Sequence, residues 1–230
     1  MSNRVKVMGV VNVTPDSFSD GGKFLVPGSA LAHARALIDE GADILDIGAE
    51  STRPGANPVS TQDEIARAIP LIAAVRAQSA IPISIDTMKP DVARAAMAAG
   101  ANIWNDVTAL THSPDAPAVA AELGCEVMLM HMQGAPQTMQ ASPRYDDVVA
   151  EVSGFLAQRA QAAVAAGVAR EKIWLDPGIG FGKSLEHNLT LLANLHELVG
   201  LGFPVLLGVS RKSFIAAIDP GVSPAHRLPG

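Results

Sequence analysis

Short β-branched runs alternate with longer, alanine-rich amphipathic runs along almost the whole chain, and no other feature constrains the fold as tightly. The pattern predicts strands at Val5–Val11, Asp43–Ile47, Pro82–Asp86, Ala101–Trp104, Glu126–Met130, Lys172–Asp176 and Pro204–Gly208. Between them it predicts helices at about Gly28–Glu40, Thr61–Gln78, Pro90–Ala99, Pro114–Leu123, Tyr145–Ala166 and Leu185–Val199, with another starting near Arg211. Pro90, Pro114 and Pro143 suit first helical turns, where a missing N–H costs little. Ser113 and Ser142 suit N-caps, and Gly41, Gly100, Gly124, Gly167 and Gly200 suit helix stops. Strict alternation means parallel strands joined by right-handed crossovers. Such units build either a doubly wound sheet or most of a (β/α)8 barrel.

Composition supports a two-sided core. Hydrophobic residues are 48% and charged residues 17% of the 230, so the chain is not a disordered one. Aromatics are only 4%, which leaves Ala, Val, Ile and Leu to fill buried parallel strands and their helices. Lys plus Arg is 17 against 23 Asp plus Glu, a net charge of −6, so a nucleic-acid or anionic-membrane binder is not expected. Cys125 is the only cysteine and can build neither an intrachain disulfide nor a cysteine zinc cluster. The first residues, MSNRVKVMGVVNVTPD, lack the pattern of a signal peptide, and no apolar run nears a membrane span. A cytoplasmic protein of one domain over residues 1–230 is therefore expected.

Polar residues sit at corresponding places. Asn12, Glu50, Asp86, Asn105, His131, Asp176 and Ser210 each fall at or just after the C-terminal end of a different predicted strand. Any one alone reads as a turn residue. Together they favour a barrel, in which those ends converge on one face.

The segment DPGIGFGKS is one residue short of a Walker loop, because Pro177 stands where its first glycine is needed. It also lacks the Rossmann spacing, so it reads as a glycine-rich turn that lets a flat ligand approach beside Asp176. The polar connection Asn12–Lys23 is long enough to act as a lid. ESTRPGANP brings Thr52 and Arg53, a planar anion fork, to the second strand's end. SRKS, Ser210 to Ser213, puts two cations at a helix start, against the helix dipole, which points to an anion or carboxylate nearby. His131 reads as a hydrogen-bonded structural residue rather than a metal ligand, and the methionines around it as core and pocket filler.

MGVVNVTPDSFSDGG, DIGAESTRPGA, SIDTMKPDVARAA, NDV, LMHMQG, DPGIGFGKSLEHN and LLGVSRKSFI resemble, in order, the dihydropteroate synthase family. The likeness runs from residue 5 to 230; one small departure is Ala49, where many members have a second glycine. It implies a (β/α)8 TIM barrel that joins 6-hydroxymethyl-7,8-dihydropterin pyrophosphate to p-aminobenzoate, the step of folate synthesis targeted by sulfonamides. It implies a pterin pocket of Asp86, Asn105, Asp176 and Lys212, walled by Val107, Met130 and Phe181. Asp86, Lys212 and Arg53 would carry catalysis. Asp16, Phe18, Thr52, Arg53, Pro54, Ser210, Arg211 and Ser213 would border the p-aminobenzoate side. Asn12 would lie at the pyrophosphate and Mg2+, and a homodimer is expected.

Those residue types suit a pterin. A carboxylate such as Asp176 can accept two adjacent N–H groups of a guanidine-like edge, and Asn105 offers both a donor and an acceptor. The alternative is a pterin-binding module without synthase activity, against which the NVTPDSFSDGG loop and Lys212 speak. Family members continue past an RLxG segment into an eighth βα unit carrying an RxHD-like motif, and no such motif occurs here. The expectation is accordingly a barrel lacking its eighth unit, with an incomplete pyrophosphate side, prone to aggregation and largely inactive unless a partner supplies the strand.

Overall fold

The computed structural model describes residues 4–13, 27–51, 58–135 and 138–218. Among these described residues, six strands form one parallel sheet: β1 (Met8–Asn12), β2 (Ile44–Gly48), β3 (Ile83–Asp86), β4 (Ile103–Asp106), β5 (Glu126–Met130) and β6 (Ile173–Asp176). They pair strictly in chain order. That order is the one a barrel requires, since a doubly wound sheet reverses direction at a switch point. The helices are α1 (Pro27–Asp39), α2 (Thr61–Arg76), α3 (Pro90–Ala98), α4 (Ala116–Leu123), α5 (Val148–Ala165), α6 (Leu185–Ala193), α7 (Leu195–Gly200) and α8 (Ser213–Ile218).

Successive strand residues face opposite sides. Val11, Leu45, Ile47, Ile83, Ile85, Trp104, Val127, Leu129, Ile173 and Leu175 are fully buried in the large core shared with the helices. Each such Ile or Leu contributes about 1.5–3 kcal/mol by leaving water. The alternate residues face inward. Near the strand starts these are Met8, Ile44, Ile103, Met128 and Trp174, which pack together with Leu206 as a separate apolar layer. Towards the strand ends they become Asn12, Asp46, Asp86, Asn105 and Asp176, all on one cavity. One face of the sheet thus supplies packing and the other grades from packing to chemistry.

Four local expectations are corrected. The seventh strand is reduced to a single bridge between Leu175 and Val205, with Leu206 N–H donating to the Leu175 carbonyl at 2.9 Å. Among the described residues this segment pairs on one side only, and no ladder joins it to β1, though both line the same cavity. Val5, Val7 and Val10 are correspondingly exposed, at 83%, 55% and 51%. The helix expected over Leu185–Val199 breaks at Asn194 (φ −112°, ψ 26°), whose side-chain N–H donates to the Thr190 carbonyl and ends the turn. α5 starts at Val148 rather than Tyr145, because Asp147 rather than Ser142 caps it, accepting from Val149 and Ala150 N–H at 3.0 Å. α4 starts after Asp115, and the Ser113 hydroxyl donates to that carboxylate instead of capping. Gly41, Gly100, Gly124 and Gly167 do end helices with positive φ, and α7 ends at Gly200, with the left-handed turn two residues on at Gly202.

Candidate active site

The strand register builds the site. Asn12 pairs with Gly48, Gly48 with Asp86, and Asp86 with Asn105, so four neighbouring strands end at one level. Gly48 matters because it lacks a side chain: a Cβ there would stand 3.4 Å from both Asn12 Oδ1 and Asp86 Oδ2. The ladder then steps upward, Met130 pairing with Asp176, as the stagger of a barrel demands. The mouth opens on a cavity of about 1060 Å³ that includes Asn12, Asp86, Asn105, Val107, Met130, Asp176, Phe181, Ser210 and Lys212.

Four carboxylates line this space, Asp46, Glu50, Asp86 and Asp176. Asp46, two residues below Gly48 and on the same face, accepts from Asn105 Nδ2 at 3.3 and 3.4 Å. Burial pushes its carboxyl above the usual range, and the charge of Asp176 adds to that. Asp86 is pushed well above its usual value by burial and then by the charges of Asp46, Glu64, Asp106 and Glu50. Asp176 is raised by burial, opposed by Lys212, the Gly178 N–H and Lys183. Low-dielectric, like-charged surroundings of this kind reward a ligand that brings N–H donors.

Lys212 is the cation facing them. Its ammonium donates to the Ile179 carbonyl and lies 4.3 Å from the centroid of the Phe181 ring, a cation–π contact. Burial lowers the affinity of Lys212 for its proton, and Asp176 restores part of it. The 177–183 turn reaches Lys212 because Gly178, Gly180 and Gly182 all have positive φ. Asp176 itself accepts from Gly178 N–H at 2.7 Å.

The rim carries a second cluster. Lys89, after β3, bridges Glu50, after β2, and Glu64 of α2, which is 0% exposed. Glu50 also accepts from Val59 N–H at 3.0 Å.

The site residues expected from sequence are thus largely brought together. Ser210 lines the mouth, Arg211 is exposed with φ 58°, and Ser213 opens α8. Asp16, Phe18, Thr52, Arg53 and Pro54, with the lid expected over Asn12–Lys23 beyond Val13, lie outside the described residues. His131 is 7% exposed and hydrogen-bonded, as expected, but its partner, Lys183, was legible only as a failed phosphate-loop lysine. Asp46 was missed because it lies inside a strand rather than at its end. A carboxylate in the middle of ILDIG, on the face of Gly48, was the available signal.

A family profile described as pterin binding enzyme matches residues 8–230. The chain belongs to the pterin-binding enzyme family. Among related pterin-binding enzymes, Escherichia coli K12 dihydropteroate synthase is 49% identical over 97% of this chain and 79% of its own length. The Xanthomonas albilineans dihydropteroate synthase structure with 4-aminobenzoic acid superposes with a TM-score of 0.92 at 51% identity, covering 99% of this chain and 81% of that one. A Yersinia pestis dihydropteroate synthase in a sulfonamide drug complex gives a TM-score of 0.92 at 46% identity, over 99% and 82%. The barrel of these pterin-binding enzymes is the architecture described above.

Proposed function

We propose that the chain is a dihydropteroate synthase, joining 6-hydroxymethyl-7,8-dihydropterin pyrophosphate to p-aminobenzoate and releasing pyrophosphate. The observation that carries this reading is the convergence of Asp86, Asn105, Asp176 and Lys212 on one cavity walled by Val107, Met130 and Phe181. The family likeness and the 4-aminobenzoic acid bound by the Xanthomonas relative support it. The sulfonamide on the Yersinia relative supports inhibition by the same drug class.

On this reading Asp176 accepts two adjacent N–H groups from the guanidine-like edge of the pterin. Asn105 meets the neighbouring edge, its amide oriented by Asp46. Lys212 donates to a ring oxygen or nitrogen, and Asp86 accepts a ring N–H and favours positive charge developing on the pterin. A ring lacking matching groups would leave these buried atoms unpaired and is rejected. The aromatic amine is already nucleophilic, so the barrier lies in departure of the charged leaving group.

Asn12 lines the cavity, and its amide oxygen suits one oxygen ligand of a hard cation that otherwise takes substrate phosphate and water oxygens. When bound, Mg2+ would neutralise charge on the leaving pyrophosphate. Arg53, Arg211, Thr52, Pro54, Ser210, Ser213, Asp16 and Phe18 belong to the proposal on the p-aminobenzoate side. A cytoplasmic homodimer is part of the same proposal and rests on the family likeness. No described helix is long and apolar enough to cross a membrane.

The test is pyrophosphate release with both substrates present. Release that requires p-aminobenzoate supports the synthase. Tight pterin binding with no release makes the chain a binding module instead.

A further inference from the structure

Lys183 is 3% exposed, takes no part in the mechanism above, and follows the turn that shapes the site. Its ammonium is surrounded by four acceptors. It lies 3.0 Å from His131 Nδ1, 3.3 Å from the His131 carbonyl, and 3.0 Å from each of the Gly178 and Phe181 carbonyls. One buried cation therefore ties the end of β5 to two points of the turn after β6. With Lys183 donating, His131 Nδ1 must accept, so the imidazole proton sits on Nε2. The ring is held there edge-on to Phe155 at 5.0 Å between centroids.

The two segments leave no slack. A Cβ on Gly178 would stand 2.0 Å from the His131 carbonyl oxygen, and one on Gly182 2.7 Å from the Gln133 carbonyl oxygen. Three carbonyls, those of His131, Gly178 and Phe181, converge on the one buried ammonium that satisfies them. Both ends of what Lys183 joins bear on the cavity. Met130 precedes His131, while Asp176 and Phe181 flank the turn, and Phe181 carries the Lys212 ammonium on its ring. Burial draws Lys183 down to about 7, against the favourable charge of Asp176. The His131 imidazole is drawn down to about 3 by burial and by the adjacent ammonium, and stays neutral.

We infer that Lys183 is a positioning residue of the pterin half of the site, fixing the Gly178–Phe181 turn, and with it Phe181, against the Met130–Asp176 pair that the β5–β6 ladder already joins. This inference rests on the reading of the cavity as a pterin site. It separates the two substrates, because nothing Lys183 touches belongs to the expected p-aminobenzoate side.

The experiment compares wild type with Lys183→Met, which keeps length and removes the donors, and Lys183→Arg, which keeps charge and donors in another shape. Pterin affinity is read by calorimetry with 6-hydroxymethyl-7,8-dihydropterin pyrophosphate, the KM for p-aminobenzoate by turnover, and the His131 ring by nitrogen NMR across pH 5–8. The expected result is a pterin Kd raised about tenfold or more in Lys183→Met, the loss of roughly one charge-assisted hydrogen bond. The KM for p-aminobenzoate should stay within about threefold, Lys183→Arg should fall between, and the His131 ring, without a donor on Nδ1, should lose its single tautomer in Lys183→Met. If Lys183→Met does not fold, Lys183→Arg carries the same comparison. Unchanged pterin affinity in a folded variant, or equal loss for both substrates, overturns the positioning role. If wild type itself binds no pterin, the functional reading fails and this inference falls with it, whereas wild-type binding matched by the variant removes this inference alone.

Discussion

The amide nitrogen of Asn105 lies 3.3 and 3.4 Å from the two carboxylate oxygens of Asp46, one layer below the mouth of the barrel. An amide can present either end to a ligand, and this pairing settles which end faces down. Asp46→Ala should therefore leave Asn105 in place but free to turn. The expected loss in pterin affinity is about 1–3 kcal/mol, roughly 5- to 150-fold, at little change in the KM for p-aminobenzoate. Calorimetric titration with the pterin substrate checks it, and unaltered affinity would mean that Asn105 needs no such partner.

Asp86 trades stability for its place in the site. Its carboxyl is held well above the usual 3.8 by burial and by neighbouring carboxylates, so the folded chain favours the protonated form. Between 3.8 and the raised value the folded state binds more protons than the unfolded one. Stability from this group is thus full at low pH and falls as pH rises through that window. Asp86→Asn should be more heat-stable than wild type at pH 7, by about 2–4 °C for each kcal/mol relieved. The gap should close towards pH 4, while pterin affinity drops. Paired thermal melts at pH 4 and 7 decide the matter.

Gly178 accepts no substitute. Its φ is +65°, and a methyl group there would meet the His131 carbonyl oxygen at 2.0 Å. The strained backbone alone costs about 1–3 kcal/mol, and the clash must displace β5 or the turn in addition. Gly178→Ala should lower the midpoint of urea unfolding and abolish pterin binding even where the chain still folds.

Lys89 holds two carboxylates at the rim, one of them fully buried. Burial works against its proton, but Glu50 and Glu64 hold its affinity for that proton above the usual range. Lys89→Met leaves Glu64 buried without its counter-ion, at an expected cost of about 3–5 kcal/mol. Lys89→Met with Glu64→Gln should recover most of this, since the stranded charge is gone. A double-mutant cycle in denaturant measures the coupling, and additive losses would refute it.

The parallel alternation was readable because β-branched strands and alanine-rich helices differ so clearly in period, and the polar strand ends because each broke an apolar run. Asp86, Asn105, Val107, Met130, Asp176, Phe181 and Lys212 do line one cavity. What stayed hidden depended on through-space partners. Asp46 looked like a strand residue until Asn105 was brought against it across β3. Lys183 acquires its role only when the turn after β6 closes on His131. The break at Asn194 and the late start of α5 follow from single side chains competing for backbone groups, which hydrophobic spacing does not encode. Among the described residues, the segment expected as the seventh strand has a neighbour on one side only and keeps a single bridge.

The two faces of the strands have a genetic consequence. Ile47 and Ile85 point at the helices, while their chain neighbours Asp46 and Asp86 point into the barrel. Neighbouring codons therefore answer to different selection. Changes at one set alter how much protein a cell retains, and changes at the other alter what the retained protein can do. Random mutagenesis of β2 and β3 scored separately for abundance and for turnover would show two interleaved stripes, offset by one residue. A resistant or altered-specificity variant arising on the inner stripe could then be found without any loss of abundance to betray it.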